Sequence, residues 1–171
     1  EKPLVVCTTG LDASTLKALH EAAHDIPIML APNTSLGVAA LNAALRVALK
    51  ALGPEYEVEV VELHHHHKKD APSGTAARLV DTVRLARGTP KEKVVTGRTG
   101  NVGARTPEEI GVFAVRGGNV IGEHTVYLFG ENDRLELTHR AASRDLFARG
   151  ALRAAAWLAE QSAGWYTIEN C

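Results

Sequence analysis

The sequence predicts an α/β fold. It should contain a mixed or antiparallel sheet of about four strands with helices on one face, beside a small strand–helix–strand unit. Three observations carry this expectation. Apolar runs at Leu4-Val5-Val6-Cys7 and Ile26-Pro27-Ile28-Met29-Leu30 bracket a helical stretch. Helix-spaced apolar stripes follow, Val38, Leu41, Leu45, Leu49 and Leu52 in one segment and Ala76, Leu79, Val80 and Val83 in another. Strand-like segments lie over 57–63, 110–116, 120–129 and 134–140, the last three separated by turns bearing glycine and asparagine.

In order, the run 4–7 reads as a strand buried on both faces of a parallel sheet. Thr8-Thr9-Gly10 turns the chain, and Asp12 is placed to cap a helix carrying Leu16, Leu19 and Ala23. With the run at 26–30 this forms a βαβ unit, but two strands alone leave both edges open. Ala31-Pro32-Asn33-Thr34-Ser35 is a polar loop at the carboxyl end of a parallel strand, where open α/β sheets bind ligands. The helix from about Leu36 is nearly all apolar, which predicts burial on more than one side, and Gly53-Pro54 ends it.

The strand over 57–63 delivers four histidines and two lysines, His64 to Lys69, to a loop that becomes a helix start at Pro72-Ser73-Gly74-Thr75. Imidazoles titrate near neutral pH, and a helix N-terminus attracts anions, so this stretch suits proton transfer to a small acidic molecule. As composition alone it is equally a basic, solvated loop before a capped helix. Gly97, Gly100 and Gly103, with Arg98 and Arg105, read as a flexible cationic loop able to close over an anion. Gly117-Gly118-Asn119 reads as a hairpin between neighbouring strands, and the open face of the sheet, with residues such as Val112 or Phe113, as a self-association surface. In the last helix, with Ala151, Ala154, Ala155 and Leu158, Gly150 weakens the start and leaves a turn before it.

The 171 residues (18.3 kDa, 45% hydrophobic) suffice for one ordinary domain or two small ones with a real core. A formal net charge of −1 and the lack of a basic stripe argue against nucleic-acid binding. No membrane span or signal-peptide layout is read, and Cys7 and Cys171, at opposite ends, make no disulfide or metal pattern. A reducing, cytoplasmic setting is expected. The consecutive histidines alternate in direction, whereas a structural zinc site wants about four convergent ligands, so no metal is expected.

The stretch from Glu62 to Ala76, E-L-H-H-H-H-K-K-D-A-P-S-G-T-A, resembles the signature of the dihydrodipicolinate reductase family, E-x-H-H-x-x-K-x-D-A-P-S-G-T-A. Cys7-Thr8-Thr9-Gly10 is similar to the family's G-T-T-G, and Ala31-Pro32-Asn33-Thr34-Ser35 to its A-P-N-x-S. Glu109-Ile110-Gly111, Arg116-Gly117-Gly118 and Ile121-Gly122-Glu123-His124-Thr125 extend the likeness over nearly the whole chain. The resemblance implies a reductase of lysine and diaminopimelate biosynthesis, passing hydride from NADPH or NADH to a cyclic unsaturated dicarboxylate. It also implies a homotetramer assembled through its sheets.

By position, the resemblance makes His64 a proton donor and acceptor, Lys68 a proton donor and His65 a substrate contact. Gly74 and Thr75 become the seat of a substrate carboxylate. Cys7, Thr8 and Thr9 fall on one cofactor turn, and Ala31, Pro32, Asn33 and Thr34 on another. Residues 1–34 would be the end of a Rossmann-type nucleotide domain, 35–144 a substrate and oligomerisation domain, and 145–171 a helix and tail returning to the first.

The chain departs from the family in three places. The G-x-x-G-x-M-G turn that holds the cofactor pyrophosphate is not in this sequence, so the chain reads as N-terminally truncated. Cys7 stands where the family has glycine, and the tail keeps only a G-x-Y. A non-catalytic substrate-binding and oligomerisation module is therefore the alternative reading.

Overall fold

The two parallel strands near the N-terminus find the third neighbour they need at the far end of the chain. The computed structural model describes residues 2–171, which divide into two compact units. One unit comprises residues up to Ala40 together with Ser143–Cys171, the other Leu41–Ala142.

In the first unit β1 (Leu4–Val6) pairs in parallel with β2 (Pro27–Leu30), which pairs in parallel with β8 (Gly164–Tyr166). The G-x-Y of the tail is thus a strand, and it closes the edge of β2. Only β2 takes a central place: Ile28 and Met29 are fully buried, whereas Leu4 of β1 is exposed, contrary to a strand buried on both faces. Between β1 and β2 lies α1 (Ala13–Ala22), capped by the Asp12 side chain, which accepts from the Thr15 N–H at 2.7 Å. Met29, Ala31, Ala39, Ala154, Leu158 and Ile168 form the unit's core.

The helix α4 (Asp145–Leu158) runs unbroken through Gly150, where a turn was expected. Gly150 is a packing residue. A Cβ there would overlap the Thr34 carbonyl, and the Thr34 hydroxyl donates to the Phe147 carbonyl of the same helix at 2.7 Å. Close backbone approach requires a residue without a side chain, and the helix accepts its lower propensity.

The second unit holds a five-stranded mixed sheet, order β4-β5-β3-β6-β7. Its strands are β3 (Glu57–His64), β4 (Val94–Val95), β5 (Ile110–Arg116), β6 (Glu123–Phe129) and β7 (Arg134–Arg140). The fifth strand, β4, is a two-residue edge too short to register as a pattern. The expected hairpin is absent, because β3 lies between β5 and β6, parallel to the former and antiparallel to the latter. Gly117-Gly118 instead crosses the end of β3: the Gly117 N–H donates to the His64 carbonyl at 3.0 Å, and the His66 N–H to the Gly118 carbonyl at 3.3 Å.

Alternation along β3 sets the two faces. Val58 and Val60 join Ile110, Val112, Val126 and Leu128 beneath α2 (Leu36–Leu52) and α3 (Gly74–Arg87), with Leu45, Leu79 and Val83 at the centre. Val112 is therefore core, while Phe113 lies on the open face with the Arg98 guanidinium 5.3 Å from its ring centroid. Leu41, Leu45 and Leu49 of α2 join this core and Ala39 joins that of the first unit, while Val47 is 70% exposed. The glycine-rich loop after β4 does not present free cations. Arg98 pairs with Glu59 (2.9 Å) and Glu109 (3.2 Å), and Arg105 with Glu59 (2.9 Å) and Glu57 (3.3 Å), which pins the loop to the open face of the sheet.

Candidate active site

Period-two alternation carries Glu62 and His64 onto the same covered face as Val58 and Val60, at the carboxyl end of β3. A carboxylate in such a place must be compensated or protonated. Glu62 is 0% exposed, and four donors meet it. Arg116 Nη2 donates to Oε1 at 2.8 Å and Nη1 to Oε2 at 2.9 Å; the Ser73 N–H donates to Oε1 at 3.0 Å; His64 Nδ1 hydrogen-bonds Oε2 at short range. Burial would raise the Glu62 pKa, but the hydrogen bonds from Arg116, His64 and Ser73 outweigh it and hold the carboxyl below its ordinary value.

Strand register assembles this group. His64 stands opposite Arg116 of β5, and Glu62 opposite His124 of β6. The His124 ring meets His64 edge-on, centroids 5.2 Å apart, and its Nε2 hydrogen-bonds Ser73 Oγ at 3.1 Å. Burial first, then the neighbouring His64, lowers the His124 pKa to about 4, so it is neutral at pH 7.

Ser73 is the cap of α3: its backbone is extended and its Oγ accepts from the Ala76 N–H at 3.2 Å. Gly74 opens the helix in an exposed position and Thr75 follows half-buried. Fixing Ser73 to Glu62 therefore fixes the helix N-terminus, with its partial positive charge, beside His64. Lys68 lies in the intervening loop, mostly covered, with Nζ 2.9 Å from Asp70 Oδ1. This hydrogen bond holds the Asp70 carboxyl below its ordinary value, and the Asp70 carbonyl accepts from Arg116 Nη2 at 2.7 Å. His65 is half-buried in the same loop; His66 is exposed and bonds the Gly118 carbonyl through Nδ1 at 2.9 Å. Among the described residues no group of three or more His, Cys, Asp or Glu side chains is arranged to hold a metal ion.

The second unit thus gathers His64, His65, Lys68, Gly74 and Thr75 around one end of β3. Arg116, Ser73 and His124 were missed as members of this cluster. Their residues stood in recognisable motifs, but only strand register makes them neighbours.

The other residues singled out lie in the first unit. Cys7, Thr8 and Thr9 are exposed directly after β1. Ala31, Pro32, Asn33 and Thr34 follow β2, and the Ala31 N–H donates to the Val6 carbonyl at 2.8 Å. Because β1 and β2 are parallel, both loops leave the same end of the sheet. Ala31 and Thr34 are buried and the Thr34 hydroxyl is engaged by Phe147, so what that loop presents outward is its backbone, Pro32 and Asn33. The Asn33 side chain accepts from the Ser35 N–H at 2.8 Å, which shapes the turn into α2.

Comparison with known proteins gives a consistent result. A family described as dihydrodipicolinate reductase, C-terminus, matches residues 37–171, and its N-terminus counterpart matches residues 1–34. A 4-hydroxy-tetrahydrodipicolinate reductase of Wolinella succinogenes is 51% identical over 170 residues, covering 99% of this chain and 66% of the relative. One from Syntrophotalea carbinolica is 50% identical over 171 residues, covering 99% of this chain and 64% of the relative. The chain spans about two thirds of the length of the curated relatives it matches. Among solved structures, a dipicolinate-bound dihydrodipicolinate reductase from Paenisporosarcina sp. TG-14 superposes with a TM-score of 0.78 at 24% identity, over 98% of this chain and 64% of that one. At that identity the match speaks for the fold.

Proposed function

The chain belongs to the dihydrodipicolinate reductase family, and from that premise we propose that it serves a reductase passing hydride from NADPH or NADH to a cyclic unsaturated dicarboxylate of the dihydrodipicolinate type, in lysine and diaminopimelate biosynthesis. The observation that carries this reading is the buried Glu62, which ties His64, Arg116 and the start of α3 into one hydrogen-bonded group, with Lys68 in the loop between them. The family match over both parts of the chain favours it over a non-catalytic binding module.

In this reading residues 35–144 bind substrate, while 1–34 and 145–171 belong to the nucleotide part. The loops at 7–9 and 31–34, at the carboxyl ends of parallel strands, fit one side of a dinucleotide. A bound nicotinamide would supply the hydride. The chain's own groups do the rest. The N-terminus of α3 at Gly74 and Thr75 seats one carboxylate, and His65 and Lys68 add donors and positive charge. Hydride addition leaves negative charge on the neighbouring atom, and proton donation from Lys68 or His64 quenches it. The loop Asp70 holds Lys68 in place.

The open sheet face, with Phe113, Val115 and Tyr127, suits self-association, and a homotetramer is part of the proposal. No described helix is long and apolar enough to cross a membrane, and a cytoplasmic enzyme is proposed. Replacing Lys68 with alanine in the active protein tests the assignment. The expected result is a fall in kcat of at least about 10²-fold with little change in cofactor affinity. Unchanged turnover would remove Lys68 from the mechanism.

A further inference from the structure

We propose that Glu62 is the positioning residue of this site: it holds His64 in the tautomer protonated at Nδ1, so that Nε2 is the atom that exchanges protons. The inference rests on the reductase reading for its purpose but not for its geometry. An ionised carboxylate accepts hydrogen bonds and donates none, and its two oxygens offer about four lone-pair sites. In Glu62 all four are taken, by two Arg116 nitrogens, the Ser73 N–H and His64 Nδ1. Were the His64 proton on Nε2, the Nδ1 lone pair would face a carboxylate oxygen at hydrogen-bond range in a fully buried place, which is repulsive.

Nδ1 is engaged by Glu62, which leaves Nε2 as the ring nitrogen able to exchange a proton. Gly122 keeps that nitrogen open, because a Cβ at this position would lie 3.0 Å from Nε2. His124, neutral and edge-on, packs against the ring without placing a positive charge there. The lowered pKa of Glu62 agrees with a carboxylate that stays ionised throughout.

The same donor count predicts what an isosteric amide does. In Glu62→Gln the amide oxygen belongs at Oε1, where it accepts from both the Ser73 N–H and Arg116 Nη2. The reverse placement would set the NH2 against those two donors. The NH2 then takes the Oε2 position, where the Arg116 Nη1 bond is given up, and faces His64 Nδ1, which must become an acceptor, so the ring proton moves to Nε2.

Two-bond ¹H–¹⁵N correlation spectra of the ¹⁵N-labelled 171-residue protein at neutral pH read this directly. The expected result is that the neutral form of His64 carries its proton at Nδ1, and at Nε2 in Glu62→Gln. An Nε2-protonated His64 in the unaltered protein, or an unchanged tautomer in the variant, overturns the proposal. If the variant does not fold, the spectrum of the unaltered protein decides alone. Kinetics of the active reductase give the second readout: kcat falls about 10²-fold in Glu62→Gln while KM for the dicarboxylate changes only a few-fold. A KM increase with kcat retained would mark Glu62 as merely structural and overturn the proposal. Absence of dicarboxylate turnover in the unaltered reductase would count against the reductase reading and leave the tautomer result standing.

Discussion

Burial of His124 makes the protein's stability depend on pH in a defined window. The ring sits at 4% exposure between His64, Ser73 and the facing His139. Its pKa is lowered from 6.5 to about 4. Burial, His64, His139 and Lys68 all disfavour the cation, and only Glu62 favours it. The unfolded chain therefore binds a proton near pH 6.5 that the folded protein refuses until about pH 4. Stability is unaffected by this group above pH 6.5 and declines as pH falls through the interval, because the unfolded state binds more protons there. The full shift corresponds to about 3 kcal/mol, of which about 2 kcal/mol is already lost at pH 5. His139, whose pKa burial also lowers, acts in the same direction, so a variant is needed to isolate His124. Urea unfolding at pH 7 and pH 5, for the protein and for His124→Gln, supplies the comparison. The unaltered protein should lose about 2 kcal/mol more than the variant between the two pH values. Equal losses, or a gain in stability on acidification, would refute the burial account of this histidine.

Gly150→Ala should destabilise the protein by about 1–3 kcal/mol in urea or thermal unfolding, although alanine in an exposed helix is worth roughly 1 kcal/mol over glycine. Increased stability would mean that α4 does not approach the Thr34 carbonyl closely. Ser73→Ala removes both the cap of α3 and the partner of His124 Nε2, and should cost about 2 kcal/mol or more. A loss below about 0.5 kcal/mol would show that the cap is unimportant, since lost caps typically cost ~1 kcal/mol.

Much of the architecture was legible because burial imposes a period. The stripes on α2 and α3 and the alternation of Val58 and Val60 read correctly, since one face of each element meets a core. Strand order was not legible. Gly117-Gly118-Asn119 suits a hairpin by local chemistry, and only long-range pairing inserts β3 between β5 and β6. The edge strand Val94–Val95 is shorter than any period, and Gly164–Tyr166 becomes a strand only because β2 offers an edge. Gly150 was misread for a related reason: propensity is local, whereas the Thr34 carbonyl comes from far along the chain. At the site, His64 and Lys68 stood out within a dense motif. Arg116 and His124 join it through the registers His64 with Arg116 and Glu62 with His124, which no linear pattern encodes. The cationic loop misled because its partners, Glu57 and Glu59, lie on a strand some forty residues earlier.

The most direct test of the account is calorimetric titration of the protein with dipicolinate, a planar cyclic dicarboxylate. Saturable binding at one site per chain is expected, weakened at least about tenfold by Lys68→Ala through loss of a charge-assisted contact. Absence of binding, or equal affinity in the variant, would contradict the placement of a dicarboxylate site beside His64 and the start of α3.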